Sequence, residues 1–77
     1  MEYYEIIRDL RIDHDKTQRE IAEFLGTSQS YYAKYEIGHI PMPIERLKKL
    51  CTYYHVSADY VLGLPKNLPY GHSKTRK

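Results

Sequence analysis

The chain has 77 residues, of which 42% are hydrophobic and 29% are charged, so it has room for one small domain with a marginal core. The single cysteine excludes an internal disulfide framework and fits a reducing compartment. No apolar run is long enough to cross a membrane, and the first residues lack the basic and apolar regions of a signal peptide. We therefore expect a cytoplasmic protein.

The net charge of +2 is unevenly distributed along the chain. Residues 1–64 contain eight Lys or Arg and ten Asp or Glu, which gives −2. Residues 65–77 contain four basic residues and no acidic residue, which gives +4. The body is therefore not a general nucleic-acid binder, and any contact with DNA has to come from a local patch or from the tail.

Apolar spacing predicts a first helix from about Tyr3 to His14, with one face formed by Ile7, Leu10, Arg11 and His14. A polar break follows. Thr17 and Glu20 then fit a capping box at the start of a second helix. Its apolar residues at helical spacing are Ile21, Phe24 and Leu25. Gly26 can adopt a positive φ and end this helix sharply.

A third helix is predicted to begin after Ser28, which can cap it, and to stop near Gly38. Two helices joined by a short turn with a glycine form a helix-turn-helix. At about 100° per residue, Tyr32 and Tyr35 lie on one side of the third helix. The opposite side consists of Gln29, Ser30, Ala33, Lys34 and Ile37. Amide, hydroxyl, methyl and amine groups of this kind read base edges in a major groove, although a core helix with an ordinary solvated side has the same pattern.

The remaining pattern predicts a fourth helix over about Ile44 to Tyr54, with an apolar stripe of Ile44, Leu47, Leu50, Cys51 and Tyr54. We expect Cys51 to be a small core residue. Ser57 can cap a short fifth helix that ends at Gly63. The predicted fold is therefore all-α.

Chemistry-bearing motifs are not evident. The four histidines do not form a pair at i and i+4, and a single cysteine argues against a structural zinc site. We find no Gly-rich phosphate loop and no nucleophile motif. We therefore expect no metal, no cofactor, no small-molecule ligand and no enzymatic activity.

The helix-turn-helix stretch resembles the phage-repressor family of Cro/cI-like, or xenobiotic-response-element, proteins. The matching residues of the motif are Gln18, Ala22, Gly26, Gln29, Ser30, Glu36 and Gly38. Further matches lie at Leu10-Arg11 and over residues 47–50 and 56–63. The resemblance covers about residues 5–64. It implies a compact five-helix lambda-repressor-like domain over residues 1–64, with the motif at helices 2 and 3, followed by a flexible basic tail over residues 65–77.

This resemblance implies sequence-specific binding of double-stranded DNA by a small transcriptional regulator, a repressor, with the third helix in the major groove. The implied base-reading residues are Ser28, Gln29, Ser30, Ala33 and Lys34. The implied DNA-backbone residues are Lys16, Thr17, Gln18 and Ile37. The family usually has a polar residue at position 37, so Ile37 either loses a phosphate contact or makes an apolar contact with sugar or thymine. The family's usual glycine and leucine are replaced by Asp15 and Lys16.

The family also implies a partly buried ion pair between Arg11 and Glu36, although two unrelated surface charges are the alternative. It further implies a homodimer on a palindromic operator, with half-sites about 34–36 Å apart. The expected dimer surface consists of Tyr60, Val61, Leu64 and Leu68. The alternative is that these side chains only close the core of the monomer.

Two further alternatives stay open at the level of sequence. The basic tail is either a mobile arm that contacts phosphates or only a solubilising end. The whole chain is either a DNA-binding regulator or a protein-interaction module, such as an antitoxin-like or adaptor protein, that keeps the fold. DNA binding with a steep salt dependence favours the regulator, whereas tight binding to a protein alone favours the module.

Overall fold

The computed structural model describes residues 1–64, and the predicted tail, including Leu68, lies outside the described residues. The described chain forms only helices, which are α1 (Tyr3–Asp13), α2 (Gln18–Leu25), α3 (Gln29–Glu36), α4 (Ile44–Tyr54) and α5 (Ala58–Leu62). The predicted all-α fold with five helices is confirmed, and α1 ends one residue earlier than predicted. Within residues 1–64, no helix is both long and apolar enough to cross a membrane.

Side-chain caps fix where three of the helices begin. The Thr17 hydroxyl accepts the N–H of Glu20 at 3.0 Å, and the Glu20 carboxylate accepts the N–H of Thr17 at 2.8 Å. The hydroxyls of Ser28 and Ser57 each accept the N–H three residues further on, at 3.1 Å. Since these N–H groups have no partner within their own helix, the caps stabilise the helix starts and fix the entry of the chain into α2, α3 and α5.

The core is built around α3, which packs against α1 and α2, while α5 packs against α1 and α4. Tyr32 and Tyr35 are at most 2% exposed and form its centre. The other buried apolar residues are Ile7, Leu10, Ile21, Ala22, Leu25, Met42, Leu47, Leu50, Cys51, Tyr54 and Val61. The inner side of the helix-turn-helix is therefore fully used for packing, which leaves its outer side for other contacts.

Three apolar side chains lie differently from their predicted positions. Val61, predicted at the dimer surface, is 1% exposed because α5 presents it to α1 and α4, and it closes the core of the monomer. Ile44, predicted on the inner stripe of α4, is 59% exposed, since it opens the helix directly after the exposed Pro43. Phe24 is 41% exposed and lies against Tyr53 at the surface.

Within residues 1–64, two residues other than glycine have left-handed backbone, Asp15 with φ 56° and His55 with φ 58°. Left-handed backbone costs most L-residues about 1–2 kcal/mol, whereas glycine adopts it freely. We expect His55→Gly, at the end of α4, to raise the free energy of unfolding by about 0.5–1 kcal/mol, because part of this gain is offset by the greater freedom of the unfolded chain.

Urea denaturation of the His55→Gly variant and of the original protein measures this gain in the free energy of unfolding. Lys49→Gly is a matched control, because Lys49 is exposed in the interior of the same helix and glycine there is expected to lower the free energy of unfolding by about 1 kcal/mol. A loss of stability in His55→Gly would contradict the proposed strain at the end of α4.

Candidate nucleic-acid interface

Most of the outer side of α3 is exposed to solvent. Four of the five predicted base-reading residues, Ser28, Gln29, Ser30 and Lys34, are exposed, and Ala33 is half-buried. Ile37, which follows the helix, is 63% exposed. The structure therefore brings the predicted base-reading residues together on one surface, with Ile37 at its C-terminal end. The Ser28 oxygen caps α3, while its O–H stays available as a donor.

Three of the four predicted DNA-backbone residues, Lys16, Thr17 and Gln18, lie at the start of α2, whereas the fourth, Ile37, lies at the end of α3. Helix geometry leaves the N–H groups of Gln18 and Arg19 without an intrahelical partner, and such N–H groups bind anions. Arg19 is exposed and Lys16 is half-buried, so two cations flank this helix end. We did not select Arg19 from the sequence, although its position directly after Gln18 is a signal for a phosphate contact.

Some donors at this helix end are already used within the protein. The Thr17 N–H is bound to the Glu20 carboxylate, which makes the N–H unavailable and adds a negative charge. This hydrogen bond from the backbone of Thr17 lowers the pKa of Glu20, so the charge persists at neutral pH. The Gln18 amide donates to Glu36 Oε1 at 3.0 Å. An amide nitrogen has two N–H donors, so the second N–H of Gln18 remains for a phosphate oxygen.

A bidentate ion pair joins α1 to the end of α3. Arg11 Nε donates to Glu36 Oε2 at 2.7 Å, and Arg11 Nη2 donates to Oε1 at 3.1 Å. The two side chains are 14% and 1% exposed, respectively. Arg11 Nη1 also donates to the carbonyl of Lys16 at 2.9 Å, which fixes the turn before α2. One guanidinium therefore fixes α1, the α1–α2 turn and α3 relative to one another.

The protonation states of this pair follow from its hydrogen bonds. Burial alone would raise the pKa of Glu36, but the donors of Arg11 and Gln18 outweigh burial and lower it. The hydrogen bond to Glu36 in turn raises the pKa of Arg11. The Tyr32 hydroxyl lies near the carboxylate without forming a hydrogen bond, and burial together with this negative charge raises its pKa. Glu36 and Arg11 are therefore both charged at neutral pH.

Two tyrosines of α1 hold the loop that follows α3. The Tyr3 hydroxyl accepts the N–H of Met42 at 3.0 Å. The ring of Tyr4 lies against Gly38, where a Cβ atom would come within 2.6 Å of the ring carbon Cζ. Gly38 has φ +77°, so glycine is required both by the backbone and by the ring. We did not predict this contact from the sequence, because helical spacing contains no information on residues so far apart.

The model of the family described as "Helix-turn-helix" matches residues 7–61 of this chain. The chain belongs to this Cro/cI-type helix-turn-helix family. The resemblance found in the sequence is therefore confirmed. No solved structure matches the chain significantly.

Three relatives show what kinds of proteins share the family's domain. An uncharacterized HTH-type transcriptional regulator, YobD of Bacillus subtilis (strain 168), is 39% identical over 62 residues, which are 80% of this chain and 55% of that protein. The cryptic phage CTXphi transcriptional repressor RstR of Vibrio cholerae is 38% identical over 50 residues, 65% of this chain and 45% of that protein. Antitoxin PezA of Streptococcus pneumoniae (serotype 4, strain ATCC BAA-334 / TIGR4) is 34% identical over 62 residues, 80% of this chain and 39% of that protein.

The chain thus spans about half the length, or less, of these relatives. Their shared segment is the helix-turn-helix domain, and the names of the first two describe regulators of transcription. The family and the names of these two relatives point to helix-turn-helix regulators of transcription.

Proposed function

We propose that this protein binds double-stranded DNA sequence-specifically and represses transcription, with residues 1–64 as the DNA-binding domain and α3 in the major groove. The observation that supports this most strongly is the division of α3 into two sides. Tyr32 and Tyr35 are buried on the inner side, while Gln29, Ser30 and Lys34 on the outer side are exposed to solvent. An α-helix fits the width of the major groove, and the second helix of such a motif is the one that enters it.

Each exposed group on α3 has a base edge that suits it. The Gln29 amide matches adenine N6 and N7, and the Lys34 ammonium matches guanine O6 and N7. The Ser30 hydroxyl suits either kind of edge, and the Ala33 methyl suits the methyl group of thymine. The free N–H groups at the start of α2, together with the Gln18 amide, hold a phosphate and set the register of the helix.

A homodimer on a palindromic operator is the assembly that we propose. Tyr60, Leu62 and Leu64 are 58%, 41% and 47% exposed, so α5 and the residues directly after it present apolar side chains outward next to the buried Val61. A small domain with one motif offers little interface, and a dimer reads two half-sites about one helical turn apart. Sedimentation of Tyr60→Glu tests this surface, because a charge there should give a monomer.

The reading helix is tested by two substitutions on its outer side. We expect Gln29→Ala and Lys34→Ala to weaken specific binding by about 1–3 kcal/mol each and to relax base preference at different positions of the site. Selection of bound sites from a random DNA pool, for each variant, measures this preference. If both variants select the same site as the unchanged protein, α3 is not the reader.

Gln18→Ala provides the matched comparison, because its amide faces a phosphate rather than a base. We expect weaker binding to all sequences by a similar factor. Since the same amide donates to Glu36, the free energy of unfolding should also fall by roughly 1 kcal/mol. Titrations over matched and mismatched sites, at temperatures where the variant is folded, separate the two effects. A loss confined to one base position would contradict the phosphate contact.

A protein-interaction module is the second candidate function. Two observations favour it, the similarity to antitoxin PezA and the exposed Ile37 at the end of α3. DNA binding whose affinity falls steeply with salt supports the regulator, since each neutralised phosphate adds about −0.9 to the slope of log K against log salt. Absence of binding to any DNA pool at low salt would support the module.

A further inference from the structure

A groove lies between the last turn of α2 and the outer side of α4. It has a volume of about 540 Å³, is open along one side, and is lined by Phe24, Glu45, Lys48, Lys49, Thr52 and Tyr53. The rings of Phe24 and Tyr53 pack with centroids 4.7 Å apart and form most of its apolar wall. None of these residues belongs to the candidate DNA interface. The groove is therefore a separate surface feature.

The aromatic wall lies beside two cations. Positions 45, 48, 49 and 52 share one side of α4, because they are spaced at i, i+3, i+4 and i+7. Lys48 lies 3.9 Å from Glu45, and both side chains are more than two-thirds exposed, so this contact is too weak to neutralise Lys48. Residues 1–64 have a net charge of −2, so two adjacent lysines beside the exposed ring of Phe24 and the half-buried ring of Tyr53 form a local exception to the charge of the body.

We infer that this groove docks an acidic segment of a partner protein, which places an apolar side chain on Phe24 and Tyr53 and carboxylates near Lys48 and Lys49. Charge complementarity sets the sign of the occupant, and the apolar wall requires at least one apolar side chain. From Glu45 to Thr52 the groove follows α4 for about 10 Å, the length of roughly three extended residues. Glu45, at one end, repels acidic groups, so the carboxylates of the segment should lie away from that end.

The test uses the full chain, labelled with ¹⁵N, and two synthetic probes. The first is the acetylated and amidated peptide Glu-Asp-Glu-Leu-Phe-Asp-Glu, and the second has Gln and Asn in place of every Glu and Asp. We expect the acidic peptide to shift the amide signals of the groove residues and to bind about tenfold more tightly than the neutral peptide. The double variant Lys48→Gln/Lys49→Gln should weaken the acidic peptide about five- to tenfold, and Phe24→Ala should weaken it too.

The controls distinguish this docking from general attraction to positive charge. Lys34→Gln removes an exposed lysine outside the groove and should leave peptide binding unchanged, while circular dichroism verifies that every variant is folded. Several results would overturn the inference: no binding at millimolar acidic peptide, equal affinity for the neutral peptide, or shifts centred on α3. Three other results would assign the groove to a different occupant. If phenylacetate binds as tightly as the peptide, the occupant is a small molecule, and if the groove signals of the free protein shift with its concentration, the occupant is a second copy of the chain. If duplex DNA displaces the peptide, the occupant is nucleic acid.

Discussion

Replacing Arg11 with leucine is expected to lower the free energy of unfolding by about 3–5 kcal/mol at neutral pH. The substitution leaves the Glu36 carboxylate, which is 1% exposed, with the Gln18 amide as its remaining hydrogen-bond donor. A buried charge without its counterion is among the few defects that cost this much. Because small domains are marginally stable, the variant should be largely unfolded at 37 °C. Urea denaturation at 10 °C measures the loss.

The pH dependence of this loss tests its electrostatic origin. In the unchanged protein the pKa of Glu36 is lowered below its usual value of 4.5, so its contribution is present above pH 4.5 and is lost as the pH falls through the folded pKa. In Arg11→Leu, burial should raise the pKa of Glu36, and the penalty should fade as the pH falls and the carboxyl becomes neutral. The difference in unfolding free energy between the two chains should therefore shrink from pH 7 towards pH 4.

Arg8→Leu is the matched control on the same helix. Its side chain is 46% exposed, and its contact with Asp9 is at 3.4 Å between two exposed groups. We expect a change within about 0.5 kcal/mol, with little dependence on pH. Equal losses in the Arg8 and Arg11 variants would contradict the importance of the buried pair.

Gly38→Ala should be the second severe substitution, with a loss of about 2–5 kcal/mol in unfolding free energy. A left-handed backbone costs an L-residue about 1–2 kcal/mol, and forcing a methyl group into a packed contact costs about 1–3 kcal/mol more. The new Cβ would lie 2.6 Å from the Tyr4 ring, so either the ring or the loop has to move. Thermal and urea denaturation measure the loss.

Two further variants separate the cost of the left-handed backbone from the cost of the steric clash with the Tyr4 ring. Gly26→Ala has nearly the same φ, +78°, but no atom within 4 Å of the added Cβ, so only the backbone cost of about 1–2 kcal/mol is expected. In the background Tyr4→Ala, which removes the ring, Gly38→Ala should also cost only about this much. A full loss in the Tyr4→Ala background would show that the ring is not responsible.

Local features of the sequence predicted the helices well, because their causes lie within a few residues of each other. Thr17, Ser28 and Ser57 each accept an N–H three residues ahead, a relation visible in the sequence as a cap followed by an apolar pattern. The expected dimer surface, which was given with the homodimer that the family implies, was wrong for Val61. Local spacing could not have corrected it, because a helix as short as α5 has too few residues to define an inner side. Which side is buried depends on α1 and α4, and spacing does not describe their positions.

Contacts between distant segments were the part that spacing could not predict. The pairing of Arg11 with Glu36 came from the family resemblance, and the bond from Gln18 to Glu36 was not expected at all. Tyr3 and Met42 are 39 positions apart, and a single sequence contains no signal for such a pair. The predicted base-reading set needed only local information, because all its members lie within one helix and its cap.

The carboxylate of Glu36 has a consequence for how the protein would discriminate between DNA sites. It is bonded to α1 through Arg11 and to the first residue of α2 through Gln18, so the start of α2 cannot shift independently of α3. The distance between the proposed phosphate contact at the start of α2 and the proposed base-reading side of α3 is then fixed. A duplex whose groove is too wide or too narrow has to deform to match this distance, and the energy of that deformation depends on the stiffness of the DNA sequence. Base pairs that no side chain touches would thus still affect affinity, through the shape of the groove.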